Sequence, residues 1–123
     1  MKIIISDPLP SSAAMLLEKE GWTVDARTGR STEALSNDIT DAVALIVRSA
    51  TKATAQLITS APDLRVIARA GSGVDNVDLQ AASDKGILVL NAPGANSISV
   101  AEHAFALIMS SARSIPRADA QMK

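Results

Sequence analysis

Four short apolar runs, each leaving through a polar or glycine-bearing loop, constrain this chain more than any other feature. They are Ile3-Ile4-Ile5, residues 42–47 (Ala-Val-Ala-Leu-Ile-Val), Val66-Ile67-Ala68 and residues 87–90 (Ile-Leu-Val-Leu). Runs this short, unbroken by polar residues, read as strands buried on both faces. Helix start and stop signals stand between them. After Asp7-Pro8-Leu9-Pro10, Ser11 or Ser12 offers a cap, Ala14, Leu16 and Leu17 offer an apolar face, and Gly21 offers a stop. Short helices are expected over residues 32–37, over 54–60 before Pro62, and over 79–85 before Gly86. Strands are expected over residues 2–6, 22–26, 42–47, 65–68 and 87–90.

Strands alternating with short helices predict a parallel sheet covered on both faces and joined by right-handed crossovers. The expected fold is α/β: a flavodoxin-like, doubly wound, five-stranded parallel sheet in the order 2-1-3-4-5. A last helix is expected over residues 97–113, with Ser99 and Glu102 as a capping box and Pro116 ending or kinking it. Its stretch 104–109 (Ala-Phe-Ala-Leu-Ile-Met) is apolar all round, which a surface helix is not.

At 123 residues the chain has the size of one domain. Its aromatic residues are Trp22 and Phe105, so the core is aliphatic. The net charge of −1 is spread along the sequence, and the absence of a basic block argues against nucleic acid or an anionic membrane as partner. Without cysteine there is neither a disulfide nor a thiolate metal site, and one histidine with scattered carboxylates makes no ligand set. The amino-terminal apolar run is too short for a signal peptide, and no run approaches the ~20 residues that span a bilayer. A cytoplasmic protein is expected.

Ligands of open α/β sheets sit outside the carboxyl ends of the strands. There the exit loops carry Asp7, then Arg48 and Ser49, then Arg69 with Gly71-Ser72-Gly73, then residues 91–96. Two arginines and a Gly-Ser-Gly turn suit an anion. Arg48 and Arg69 offer planar forks that match carboxylate or phosphate oxygens. Gly71 and Gly73 permit backbone angles that let successive N–H groups face one concavity. Asn96 and Ser97 stand at a helix N-terminus, where the dipole favours negative charge. Plainer readings stay open: Gly71-Ser72-Gly73 as a tight turn, the arginines as solvated rim charges or partners of Asp75 or Asp78, and Asn96 and Ser97 as helix caps. The turn is no dinucleotide fingerprint, because Asn76 occupies the third glycine's place. His103 follows Glu102 with no serine, cysteine or second histidine suitably placed, so it reads as a surface or domain-facing residue. A phospho-receiver of the same fold needs an aspartate where Arg48 stands.

The segments Val47-Arg48-Ser49-Ala50-Thr51-Lys52, Arg69-Ala70-Gly71-Ser72-Gly73-Val74-Asp75-Asn76-Val77-Asp78, Lys85-Gly86-Ile87-Leu88-Val89-Leu90-Asn91-Ala92-Pro93 and Asn96-Ser97-Ile98-Ser99-Val100-Ala101-Glu102 together resemble the D-2-hydroxyacid dehydrogenase family, and within it the members acting on 3-phosphoglycerate. The resemblance runs from about residue 42 to 123; the first forty residues fit by pattern. It implies a substrate-binding first domain and a separate NAD-binding domain that these residues do not include. It implies that Arg48, Ser49, Arg69, Gly71, Ser72 and Gly73 hold a small anionic hydroxy acid, that Arg69 serves its phosphate end, and that Ser72 and Asn96 lie towards the NAD cofactor. No catalytic residue is expected here, because the family's second arginine and its Glu–His pair fall in later segments. The expected division is a substrate-binding domain over 1–96 and an interdomain helix with the start of a linker over 97–123. Taken alone, the chain is expected to be catalytically silent and to form homo-oligomers through its C-terminal helix. A non-catalytic anion-binding or scaffold domain of the same fold is the alternative.

Overall fold

The structure, a computed structural model, describes residues 1–123. In chain order the elements are β1 (Lys2–Ile5), α1 (Ser11–Lys19), β2 (Thr23–Asp25), α2 (Thr32–Asp38), β3 (Ala42–Val47), α3 (Ala55–Thr59), β4 (Val66–Arg69), α4 (Leu79–Asp84), β5 (Leu88–Asn91), α5 (Ser97–Ala112) and α6 (Ile115–Met122). The strands form one parallel sheet, as the alternation predicts, in the expected order β2-β1-β3-β4-β5. The chain divides into two compact units, Met1–Pro93 and Gly94–Lys123.

In the first unit, β1 leads outward to β2, and the chain then returns past β1 to β3, β4 and β5. Right-handed crossovers in opposite directions place α1 on one face and α2, α3 and α4 on the other. The core lies under the latter three. Ile4, Ile39, Leu45, Val47, Leu57, Ile58 and Ile67 are its largest fully buried side chains. Truncating any one of them leaves a cavity that the aliphatic packing closes only in part, at about 2–5 kcal/mol.

The face carrying α1 is thinner than the pattern suggests. α1 buries no residue completely, and Leu16, expected on its apolar side, is 64% exposed. At the other end of that face, Leu88 and Leu90 of β5 are 57% and 47% exposed. They alternate with Val89, which packs against the core, so they point to the opposite side. The expectation of full cover on both faces therefore fails over β5.

Three expected helix signals act differently in the structure. Pro10, not Ser11 or Ser12, takes the N-cap position of α1. Ser99 lies inside α5, whose N-cap is Asn96 with no side-chain capping bond, so the Ser99–Glu102 box is not formed. Pro116 lies in the first turn of a separate helix, α6, where its missing N–H removes no helical bond. Ser114, with φ of 51°, stands in the left-handed region at the junction of the two helices.

The β2–α2 loop is pinned by charge. Arg30 Nη2 donates to Asp25 Oδ1 at 2.8 Å, and Arg27 Nη2 donates to Asp25 Oδ2 at 2.6 Å. The hydrogen bond from Arg27, opposed by burial and aided by Arg30, holds the Asp25 carboxyl at about 2.

Candidate functional site

The loop between β3 and α3 is gripped from two sides by side chains of opposite hydrogen-bonding character. Asp7, at the end of β1, is 3% exposed. Its Oδ2 accepts from the N–H groups of Arg48 (2.6 Å), Ala50 (3.2 Å) and Thr51 (3.1 Å), and its Oδ1 accepts from the Thr51 hydroxyl. Burial pushes the carboxyl pKa up. The hydroxyl of Thr51 and the amides of Thr51, Arg48 and Ala50 outweigh it, holding the group below its ordinary value. On the other side, Asn76 Nδ2 donates to the carbonyls of Arg48 (2.7 Å) and Thr51 (2.6 Å). An acceptor-only side chain thus faces the loop's donors, and an amide faces its acceptors. The backbone continues the junction: Ala53 N–H donates to Asn76 O at 2.8 Å, and Asp78 N–H to Ala53 O at 2.9 Å. Asp78 then caps α4 through the Ala81 amide at 3.0 Å.

The glycine turn is fastened at its far side by β5. Ala92 N–H donates to Gly71 O at 2.9 Å, and Asn91 Nδ2 donates to Ser72 O at 2.7 Å. The reason for glycine differs from the one the sequence suggests. Neither Gly71 nor Gly73 has a left-handed backbone. A Cβ at Gly71 would instead lie 2.5 Å from Arg69 Nη1, and one at Gly73 would lie 3.1 Å from Asp75 Oδ1. Glycine leaves room for the guanidinium folded over the turn. The concavity is also smaller than expected, because Gly71 N–H is spent on Arg69 O at 2.8 Å. Ser72 and Gly73 are exposed.

Arg69 and Arg48 leave one corner in different directions. Arg69 Nε donates to Arg48 O at 3.3 Å, and its Nη2 lies 3.7 Å from Asp75 Oδ1. The pairing with Asp75 is thus realised, but Asp75 is 83% exposed and water screens it. Arg48 is exposed, and its Nη1 donates to Pro8 O at 3.2 Å. Arg48, Ser49, Arg69, Gly71, Ser72 and Gly73 therefore all lie at the adjacent carboxyl ends of β3 and β4. Asn96 belongs to the second unit, as the N-cap of α5.

The corner has the chemistry to hold an oxyanion: two fixed-charge forks on a braced frame. His103 is exposed on α5, and no cluster of three metal-ligating side chains exists. These residues do not form a dinucleotide cradle either, since one amide of the turn is spent internally and Asn76 fills the third glycine's position with a side chain that braces the neighbouring loop. Sequence reasoning placed Asp7 on the rim but missed its grip on the loop, and it missed the role of Asn76 altogether. An aspartate two residues beyond the buried run Ile3-Ile4-Ile5 was the available signal for the first.

Residues 3–120 match the family model for the D-isomer specific 2-hydroxyacid dehydrogenase catalytic domain. The chain belongs to the D-isomer specific 2-hydroxyacid dehydrogenase family. It is 50% identical over 123 residues to the D-3-phosphoglycerate dehydrogenase of Methanocaldococcus jannaschii, covering 100% of this chain and 23% of that protein. The TT0316 protein of Thermus thermophilus superposes with a TM-score of 0.89 at 31% identity, covering 98% of this chain and 39% of that one. A 3-phosphoglycerate dehydrogenase of Entamoeba histolytica with bound NAD+ superposes with a TM-score of 0.79 at 32% identity, covering 89% and 38%. The flavodoxin-like sheet is thus that of 2-hydroxyacid dehydrogenase domains. The chain spans only 23% of the length of the curated relatives it matches. No helix is long and apolar enough to cross a membrane.

Proposed function

We propose that this chain is the substrate-holding part of an NAD-dependent 2-hydroxyacid dehydrogenase that converts 3-phosphoglycerate to 3-phosphohydroxypyruvate, the first step of serine biosynthesis. The observation that carries the reading is the corner where Arg48 and Arg69 stand on a frame fixed by Asp7 and Asn76. The Arg48 fork and the amides of Ser72 and Gly73 hold the carboxylate, with Ser49 beside them. Arg69 serves the phosphate, released from its contact with exposed Asp75. Residues 1–96 act as the substrate domain, and 97–123 as the helix leading to the part that binds NAD, with Ser72 and Asn96 on the cofactor's side. Hydride transfer needs the nicotinamide held about 3–3.5 Å from the substrate carbon, together with a base in hydrogen-bond reach. These residues provide neither, so the chain by itself binds without turning over.

Calorimetric titration with 3-phosphoglycerate, with and without NADH, tests this. Weak binding indifferent to NADH is expected, and Arg48→Ala should weaken it about tenfold or more, the loss of a charge-assisted fork. NADH binding, or a 3-phosphoglycerate affinity that Arg48→Ala leaves unchanged, overturns the reading.

The second unit carries its own consequence. Ile98, Phe105, Ile108 and Met109 of α5 are 77%, 70%, 62% and 58% exposed, and α5 buries no residue. Exposed apolar surface of this kind drives association. Homo-oligomers through residues 97–123 are expected by light scattering, returning to monomer in Phe105→Glu/Ile108→Glu; a monomeric parent chain at high concentration argues against it.

A further inference from the structure

The candidate substrate corner lies one strand away from the place where this sheet topology ordinarily takes a ligand. The strand order reverses between β1 and β3, and open α/β sheets bind in the crevice at such a reversal. That crevice holds a cavity of about 480 Å³, within the range of small-molecule sites. The end of β1, the β2–α2 loop and the β3–α3 loop line it.

Its lining has a definite character. Leu35 and Leu57, both core residues, form an apolar floor, with Pro8 and Ala50 as further apolar wall. Thr28, Thr32 and Thr54 supply hydroxyls. Thr54 Oγ1 accepts from the Leu57 amide, which leaves its proton to donate. Three charged side chains line the space. Arg30 is neutralised by Asp25 and Asp38. Asp7 has both oxygens taken up by the loop. Lys52 is exposed and pairs with no carboxylate. The Asp7 charge is turned onto the loop's amides, so the cavity offers one cation, Lys52, with no carboxylate in ion-pair contact, above an aliphatic floor. A doubly anionic, hydroxyl-rich acid would leave that floor unsatisfied.

We propose that this cavity is a second small-molecule site, taking a compact monoanion with a short aliphatic body, such as a branched short-chain carboxylate. Asp7 and Thr51 line the cavity and also hold the loop that carries Arg48, so occupancy alters the substrate corner. That coupling rests on the reading of Arg48 as a substrate ligand; binding in the cavity does not.

The test is an amide NMR titration of the chain with 3-methylbutanoate, using 3-methylbutan-1-ol as the neutral control. Saturable shifts are expected at Thr28, Gly29, Thr51 and Lys52. The alcohol, or the acid with Lys52→Gln, should bind about fivefold more weakly, the worth of one exposed charge contact. Thr32→Phe, at an exposed position on the wall, should abolish the shifts while the amides of Ile4 and Ile67 stay in place. Shifts confined to α5, equal affinity for acid and alcohol, or shifts that survive Thr32→Phe overturn the proposal. Thr51, on the shared loop, should respond to both ligands, whereas Ser72 and Gly73 report 3-phosphoglycerate and Thr28 and Gly29 report the cavity. If 3-phosphoglycerate moved nothing while 3-methylbutanoate moved the cavity amides, the cavity site would stand and the substrate reading would fall.

Discussion

Replacing Asp7 by alanine is expected to cost about 1–3 kcal/mol, because it takes a shared acceptor from three backbone donors at once. Arg48, Ala50 and Thr51 lose their shared acceptor together. Asp7→Asn is gentler in volume but turns an NH₂ group towards the same amides. Chemical denaturation gives the loss, and amide exchange at Arg48, Ala50 and Thr51 shows whether it begins in the loop. The sign with pH follows from the lowered carboxyl pKa. A carboxyl held below its unfolded value stabilises the fold above that value, near 3.8, and the contribution is lost as pH falls through the folded value. Asp7→Asn should therefore have a shallower loss of stability below pH ~4 than the parent chain. Identical acid limbs would show that the fold does not lower the Asp7 carboxyl pKa, and the account of the loop would fail with it.

The strands were legible because burial on both faces writes itself into sequence as uninterrupted aliphatic runs. Residues 42–47 coincide with β3, and the order 2-1-3-4-5, one of those that right-handed crossovers allow, is the one the sheet adopts. Helix ends were less legible because several residues in each could cap. Ser31, Thr54 and Asp78 do so through the N–H three residues on, whereas Ser11, Ser12 and Ser99 do not. The bare side of β5 was hidden for a different reason. Leu88 and Leu90 read as buried in any hydropathy pattern, and only the placement of α1 near β2 leaves them open.

At the candidate site, the residue types and their loops were legible, and their connections were not. Gly71 looked like a backbone-angle requirement, yet its backbone is not left-handed, and a Cβ there would meet the movable end of Arg69. Asn76 looked like a departure from a nucleotide motif and is a brace between loops twenty-eight and twenty-five residues apart in sequence. Long-range bonds to backbone groups leave no periodic trace. What sequence does record is the chemical type each end demands, a carboxylate facing N–H groups and an amide facing carbonyls.

That demand makes Asn76→Asp the sharpest single substitution in the chain. The side chain keeps its shape, but the atom 2.7 Å from Arg48 O and 2.6 Å from Thr51 O changes from donor to acceptor. Two hydrogen bonds become two repulsions, at an expected cost of about 2–4 kcal/mol at neutral pH. Protonation of the new carboxyl restores one donor. Its folded pKa is therefore raised, and the variant should recover part of the loss as pH falls towards 4, the opposite of the trend at Asp7. With the loop released on this side, Arg48 loses its fixed origin, and affinity for 3-phosphoglycerate should drop about tenfold even though Asn76 is given no contact with the ligand. Urea denaturation at pH 7 and pH 4, read beside amide exchange at Arg48 and Thr51, separates the two effects. An unchanged midpoint with unchanged exchange would mean that Asp7 alone holds the loop and that Asn76 is incidental to the corner.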